Sequence, residues 1–196
     1  MDAIVKPSSP GARLRALMAE PGILVCPGVF DGFSLRLVEA AGYKTANISG
    51  AGLSESNLGW ADIGIMGYAE NVRASAALAA VSTIPLSADG DTGYGNALNV
   101  YFTVQGFERA GLACLMIEDQ VWPKRCGHME GKQVISAEEG VEKIRAASEA
   151  RRDPDFVIKA RTDATAIHGL SEAIRRLNLY AEAGADMLFE IGRAHV

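Results

Sequence analysis

The chain has 196 residues, 48% hydrophobic and 22% charged, with a formal net charge of −5 and a pI near 5.3. This balance describes a globular domain with a substantial core, and it argues against a nucleic-acid partner, because phosphate binding needs a clustered basic surface. No apolar run approaches the roughly 18 residues that cross a bilayer, residues 1–10 (MDAIVKPSSP) lack a signal-peptide core, and Cys26, Cys114 and Cys126 are an odd set without metal-site spacing, so no membrane and a cytoplasmic compartment with reduced thiols are expected.

After a Pro- and Ser-rich start, residues 11–20 (GARLRALMAE) read as a short amphipathic helix stopped by Pro21-Gly22. Residues 23–30 (ILVCPGVF) read as an apolar strand, and Asp31 caps a helix reaching residue 41 with Gly42 as its stop. Residues 45–49 are a second strand, ending in glycine-rich SGAGLSESNLGW. An alanine-rich helix over 67–81 precedes a third strand, 84–88, which runs into DGDTGYG. Residues 96–110 are helical up to Gly111, and 113–117 are a fourth strand. The helix over 136–151 opens with a capping box formed by Ser136 and Glu139. A fifth strand over 156–160, a helix over 171–183 stopped by Gly184, and a sixth strand over 186–189 complete the series.

Strands alternating with helices at a period of roughly 30 residues mean consecutive βα units and a parallel sheet. A doubly wound open sheet and a (β/α)8 TIM-type barrel both satisfy the pattern. Polar and glycine-rich residues follow strands two, three, four and five alike, whereas an open sheet gathers them near one switch point. The expectation is therefore an α/β fold of the barrel type. Such barrels have eight strands and typically about 250 residues, so residues 1–196 are read as a single, incomplete barrel domain with about six strands of the eight.

Asp89 and Asp91 stand two apart where the third strand runs out, so both can point the same way from an extended segment. Like charges held together call for a cation, and oxygen-only ligands suit magnesium or manganese. Glu118 ends the next strand, and Asp62, after the second strand, would complete the set through water. Acids at strand ends also cap helices and turns, which fits a lone Asp91 before TGYG better than three acids on adjacent strands. Arg161 and Asp163 in KARTDA repeat the theme. Arg161 would clamp a substrate carboxylate through its bidentate fork or form a salt bridge to Glu118 or Asp91. Ser49-Gly50-Ala51-Gly52 offers backbone N–H groups to a second carboxylate. His168 has no evident partner and reads as surface.

Residues 116–132 (MIEDQVWPKRCGHMEGK) read as a buried strand delivering Glu118 and Asp119 to a pocket, followed by a loop carrying Lys124, Arg125, Cys126 and His128. Nearby positive charge favours a thiolate, which makes Cys126 a candidate nucleophile or proton carrier. The alternative is an inert loop thiol among solvated cations.

KRCGHM, residues 124–129, resembles the signature of the isocitrate lyase and phosphoenolpyruvate mutase superfamily. PGVFDGFSLRLVEAAG, SGAG, DGDTGYGN, IEDQ and DPDFVIKARTDA resemble corresponding stretches of methylisocitrate lyases, 2,3-dimethylmalate lyases and carboxyvinyl-carboxyphosphonate phosphorylmutases. The resemblance spans residues 27–189. It implies a magnesium-dependent barrel enzyme (manganese being the other candidate), tetrameric, acting on small dicarboxylates or tricarboxylates. Asp89, Asp91, Glu118 and Asp62 would surround the metal and its waters. Ser49, Gly50, Ala51 and Arg161 would hold the 2-oxo acid portion, and Lys124, Cys126, Gly127 and His128 would form a gating loop. The implied reaction is a retro-aldol cleavage in which Cys126 protonates the expelled carbanion. An oxaloacetate decarboxylase or a phosphonomutase on the same site is the enzymatic alternative, and an inactive barrel fragment the alternative of another class. The thiol, absent from phosphoenolpyruvate mutases proper, favours the lyase branch. WPKRCGHMEGK is more similar to dimethylmalate-lyase-like and phosphonomutase-like members than to methylisocitrate lyases. Residues 190–196 (EIGRAHV) depart from the family pattern and match the translation of a common sequencing-library adapter, so they are expected to be a non-native tail.

Overall fold

The computed structural model describes residues 8–191. In chain order the elements are α1 (Pro10–Met18), β1 (Gly28–Val29), α2 (Gly32–Ala40), β2 (Ala46–Ile48), α3 (Gly50–Leu53), a turn of π-helix (Ser54–Leu58), α4 (Tyr68–Val81), β3 (Leu86–Asp89), α5 (Ala97–Arg109), β4 (Cys114–Glu118), α6 (Ala137–Ala150), β5 (Val157–Thr162), α7 (Thr165–His168), α8 (Leu170–Glu182) and β6 (Met187–Glu190). Local chemistry sets the starts of several helices. Ser9 Oγ accepts the Ala12 N–H, Asp31 Oδ1 the Ser34 N–H, Asn96 Oδ1 the Leu98 and Asn99 N–H groups, and Ser136 Oγ the Glu139 N–H.

The six described strands are parallel and pair strictly in sequence order, β1 to β6. A doubly wound sheet reverses its order at a switch point, whereas a barrel wall does not. The chain therefore forms six successive strands of an α/β barrel wall.

Alternation along the strands separates two faces. Val29, Ile48, Leu86, Ala88, Leu115, Ile117, Ile158 and Ala160 face the helices and join Leu35, Val104, Phe107, Ile144, Phe156 and Tyr180 in the main core. Burying each large aliphatic or aromatic side chain contributes about 1.5–3 kcal/mol. The residues between them carry the opposite face, where the register aligns Asp89 with Met116 and Glu118 with Arg161 and Phe189. That face ends in charge at the C-terminal side of the sheet.

Three expectations change. The strand expected over 23–30 is ladder-bonded only at Gly28–Val29. Pro27 has no N–H to donate, β1 has a neighbour on one side only, and Ile23 is 93% exposed. Apolar composition therefore overstated the strand. The glycine-rich segment after β2, expected as a loop, is helical, with Ser49 Oγ accepting the Gly52 N–H at 3.1 Å. In β3 to β6 the ladder extends beyond the apolar run, so Asp89, Glu118, Arg161 and Glu190 lie inside strands. Glu190, the first residue of the expected tail, pairs with Thr162, and Ile191 donates to the Thr162 carbonyl at 3.4 Å. Residues 192–196 lie outside the described residues.

Candidate active site at the strand ends

Asp91 follows β3 in a turn at φ 48°. Its N–H donates to Asp89 Oδ1 at 3.0 Å, its carbonyl accepts the Glu118 N–H at 2.8 Å, and its Oδ2 accepts the Tyr94 hydroxyl at 3.2 Å. Asn71, on α4, donates to that same Tyr94 oxygen at 2.7 Å and to the Asp89 carbonyl at 2.8 Å. One helix thus braces the turn that presents both acids. Gly50, at the start of α3, packs against Asp89: a Cβ there would stand 3.0 Å from Asp89 Oδ2. Gly50 is therefore beside Asp89, but of the N–H groups expected to face a carboxylate, that of Ser49 is spent on the Val29 carbonyl at 2.9 Å and that of Gly52 on Ser49 Oγ at 3.1 Å.

Lys124 reaches into this cluster. Its side chain is buried, its ammonium is ion-paired with Asp62 and, at 2.9 Å, with Asp91 Oδ1, and Asp89 and Glu118 also act on its charge. Two of the four expected metal-site acids, Asp62 and Asp91, thus hold one lysine, and the charges of Asp89 and Glu118 act on it from beyond ion-pair distance. Burial works against the Lys124 charge, but Asp91, Asp89, Glu118 and Asp62 outweigh it and hold the group above its ordinary range. Burial pushes Asp91 up to about 6, with Asp89 reinforcing and Lys124 opposing. Burial also pushes Glu118 well above the carboxylate range, with Arg161 opposing.

The donor chemistry fits a hard divalent cation. Glu118 Oε1 is buried without a hydrogen-bond donor, and Asp91 Oδ1 meets Lys124 at 2.9 Å without hydrogen-bond geometry. Buried acceptors left unpaired are costly, and carboxylate oxygens are the ligands magnesium and manganese take. As the side chains stand, no three metal-ligating groups among the described residues are close enough to hold an ion. The ammonium of Lys124 supplies the positive charge among them.

Arg161 forms the salt bridge to Glu118, Nη2 to Oε2 at 3.2 Å, and sets its fork on Asp163 at 2.9 and 3.2 Å. Burial opposes its charge, and Glu118 and Asp163 more than compensate, holding it above its ordinary range. Phe189 lies under the guanidinium, 5.8 Å from the ring centroid. Asp119, expected in the pocket beside Glu118, is instead on the other face. Neighbours in an extended segment point to opposite sides, and Asp119 accepts from Thr162 Oγ1 (2.7 Å), the Asp163 N–H (2.9 Å), the Tyr180 hydroxyl (2.9 Å) and Arg176 Nη1 (3.1 Å).

The loop after β4 is anchored at its root, where Gln120 binds the Arg125 N–H at 3.1 Å and carbonyl at 2.9 Å. Trp122 packs edge-on to Tyr94, centroids 5.9 Å apart. Cys126 is half-buried, and His128 and Arg125 are exposed. Of the cations expected beside the thiol, Lys124 is committed to Asp62 and Asp91 instead. Lys132, at the far side of the loop, reaches Asp163 Oδ1 at 2.9 Å and the Gly127 carbonyl at 2.5 Å. Lys132, Asn71 and Tyr94 were not singled out from the sequence. Their partners lie up to 31 residues away, and no local spacing announces them. His168 is exposed at the end of α7, as expected.

A six-strand α/β barrel wall with carboxylates gathered at its C-terminal edge is the architecture of a small-molecule enzyme class. Residues 14–196 match the model of the phosphoenolpyruvate phosphomutase family, and the chain belongs to that family. It is 43% identical over 178 residues to 2,3-dimethylmalate lyase of Eubacterium barkeri, covering 91% of this chain and 62% of that one. It is 47% identical over 181 residues to the chloroplastic carboxyvinyl-carboxyphosphonate phosphorylmutase of Arabidopsis thaliana (90% and 53% covered), and 44% identical over 182 residues to 2-methylisocitrate lyase of Salmonella typhimurium (92% and 62%). Among solved structures it resembles oxaloacetate acetylhydrolase in complex with 3,3-difluorooxalacetate, at a TM-score of 0.91 and 38% identity, covering 95% of this chain and 65% of that one. It equally resembles 2,3-dimethylmalate lyase, a PEP mutase/isocitrate lyase superfamily member, at a TM-score of 0.91 and 37% identity (97% and 64% covered). The chain spans 53 to 62% of the length of these curated relatives.

Proposed function

We propose that this chain carries the catalytic face of a divalent-metal-dependent carbon-carbon lyase. Its substrate is a small 2-hydroxy di- or tricarboxylate of the dimethylmalate or methylisocitrate type, cleaved to a 2-oxo acid such as pyruvate and a second carboxylate. The observation that carries this reading is the set of acids on adjacent strand ends, with two incompletely satisfied buried oxygens, below a loop that bears a half-buried thiol.

Asp89, Asp91, Glu118 and Asp62 would hold magnesium or manganese, which when bound supplies polarisation of the substrate's 2-hydroxyl. Arg161 and the backbone N–H groups of Gly50 and Ala51 bind and orient the carboxylate of the 2-oxo portion, the Ser49 N–H being taken by the Val29 carbonyl at 2.9 Å. Asp163 fixes the Arg161 fork from behind, so the guanidinium does not have to be ordered by substrate. The 2-hydroxyl gives up its proton to a carboxylate of the acid cluster as it becomes the 2-oxo group, the carbon-carbon bond's electron pair leaves as the carbanion, and Cys126 Sγ delivers a proton to that carbanion. Lys124, Gly127 and His128 belong to the loop that excludes water while the carbanion exists. The thiol favours this reading over phosphorus-carbon chemistry. Similarity to oxaloacetate acetylhydrolase makes 2-oxo dicarboxylates the second substrate class to assay.

The assembly proposed with this function is a homotetramer in the cytoplasm. No helix among the described residues is long and apolar enough to cross a membrane. The deciding experiment couples pyruvate formation to lactate dehydrogenase, with magnesium and a panel of 2,3-dimethylmalate, 2-methylisocitrate and oxaloacetate. Pyruvate from either hydroxy acid, abolished by EDTA, is the expected result. Binding of magnesium and pyruvate in calorimetry, with no pyruvate formed from any of them and no oxalate released from oxaloacetate, would instead mark a non-catalytic fragment.

A further inference from the structure

We propose that Lys132 is a positioning residue that clamps the thiol loop onto β5, tying the Gly127 carbonyl to Asp163. The inference rests on the reading of Cys126 as proton donor, but the contact itself does not. Lys132 Nζ donates to the Gly127 carbonyl at 2.5 Å and to Asp163 Oδ1 at 2.9 Å, and its side chain is only 5% exposed. A lysine at a loop end ordinarily keeps its ammonium in water, with its rotamer freedom. Here both are given up for a buried, charge-assisted pair.

Asp163 is a firm anchor without Lys132. Arg161 grips both its carboxylate oxygens, and its N–H donates to Asp119, which Thr162, Arg176 and Tyr180 hold in turn. Arg161 already compensates the Asp163 charge, so removing Lys132 breaks chiefly the link to the loop. The Gly127 peptide is meanwhile pressed onto the strand ends. A Cβ at Gly127 would meet the side-chain ends of Arg161 and Ile191, so the peptide lies directly against the strand-end side chains, and a larger residue would have to push the Arg161 fork aside. Gly127 is thus held by Arg161 on one side and by Lys132 on its carbonyl. Cys126 precedes it and His128 follows, so that one peptide fixes where the thiol stands. Gln120 with Arg125 and Lys124 with Asp62 and Asp91 hold the outgoing side of the loop, and the Val121 N–H to Gln133 carbonyl and Ile135 N–H to Asp119 carbonyl bonds, each 2.9 Å, tie its return to the end of β4. Between these roots the Met129 N–H closes a turn on the Cys126 carbonyl, and Lys132 ties the Gly127 peptide to β5.

The test is peptide-resolved alkylation of the native chain by iodoacetamide, with exposed Cys26 as internal reference and buried Cys114 as fold reporter. Lys132→Met should raise the Cys126 to Cys26 labelling ratio about tenfold or more, the population change that loss of a charge-assisted hydrogen bond brings. Lys132→Arg, which can still reach both oxygens, should restore the wild-type ratio. If Lys132→Met also exposes Cys114, the fold has opened, and Lys132→Gln, which keeps one donor for Gly127, decides by the same ratio. An unchanged ratio in the folded neutral variant overturns the clamp. For the lyase reaction, the neutral variant should lower kcat about tenfold or more with KM within about threefold, since the loss is in transition-state placement and not in substrate binding. Raised labelling with wild-type kcat would overturn the positioning role. A wild-type chain that turns over no hydroxy acid would sink the lyase reading, while the labelling would still decide the clamp.

Discussion

At the scale of single residues the decisive group is Lys124, because it is the cation that the acidic cluster now holds. A metal held by Asp62, Asp89, Asp91 and Glu118, as proposed, would have to displace the ammonium from Asp62 and Asp91. One unit of charge at about 4 Å is worth about 4 kcal/mol at an effective dielectric constant near 20. Lys124→Met should therefore bind magnesium at least about tenfold more tightly in calorimetry. The metal-free variant should be less stable by about 3–5 kcal/mol, as expected when a buried ion pair loses one partner, and magnesium should restore most of that loss. Weaker magnesium binding by the variant would show that Lys124 helps hold the metal and does not compete with it. Two further substitutions separate metal from proton donor. Asp89→Ala should make turnover unresponsive to added magnesium. Cys126→Ser should abolish cleavage while magnesium and pyruvate still bind within about threefold, because the thiol acts only once the carbon-carbon bond has broken. Retained cleavage in the serine variant would remove Cys126 from the chemistry.

At the scale of elements, β4 shows what a sequence displays and what it hides. The apolar run through Ile117 marks the strand, and the two acids after it mark a functional end. Nothing local says that Glu118 turns to the site while Asp119 turns to α8, since the strand's last residue was legible only to within one or two positions. Ladder bonds carry β4 through Glu118 and β5 through Thr162, and alternation then assigns the faces. The same limit explains β1, where an apolar run without two neighbouring strands does not become a ladder. It also explains Lys132, whose partner Asp163 is 31 residues away. The barrel order, the acids, Arg161 and the thiol loop were legible because each is a periodic or local pattern. The Asp119 hub was not, because it joins β4, β5 and α8. Asp119→Ala strands Arg176 and removes four hydrogen bonds, so it should destabilise the chain by about 3–5 kcal/mol in urea unfolding. A loss below about 1 kcal/mol would mean that Glu172 and the Ile135 carbonyl, the other partners of Arg176, suffice for it.

At the scale of the whole molecule, the sheet has two described edges, because β1 pairs only with β2 and β6 only with β5. The β6 edge is the more exposed in chemical terms. Leu188, paired with Ala160 of the helix-facing side, is 45% exposed, and Leu170 and Ile174 of α8 are exposed as well. An apolar strand with unpaired backbone groups is a template for pairing with another chain. Sedimentation velocity on the 196-residue chain should therefore show association that grows with concentration. Leu188→Lys should suppress it without unfolding, since Leu188 lies outside the buried core. A wild-type chain that stays monomeric at every concentration would overturn the β6 edge as an association surface.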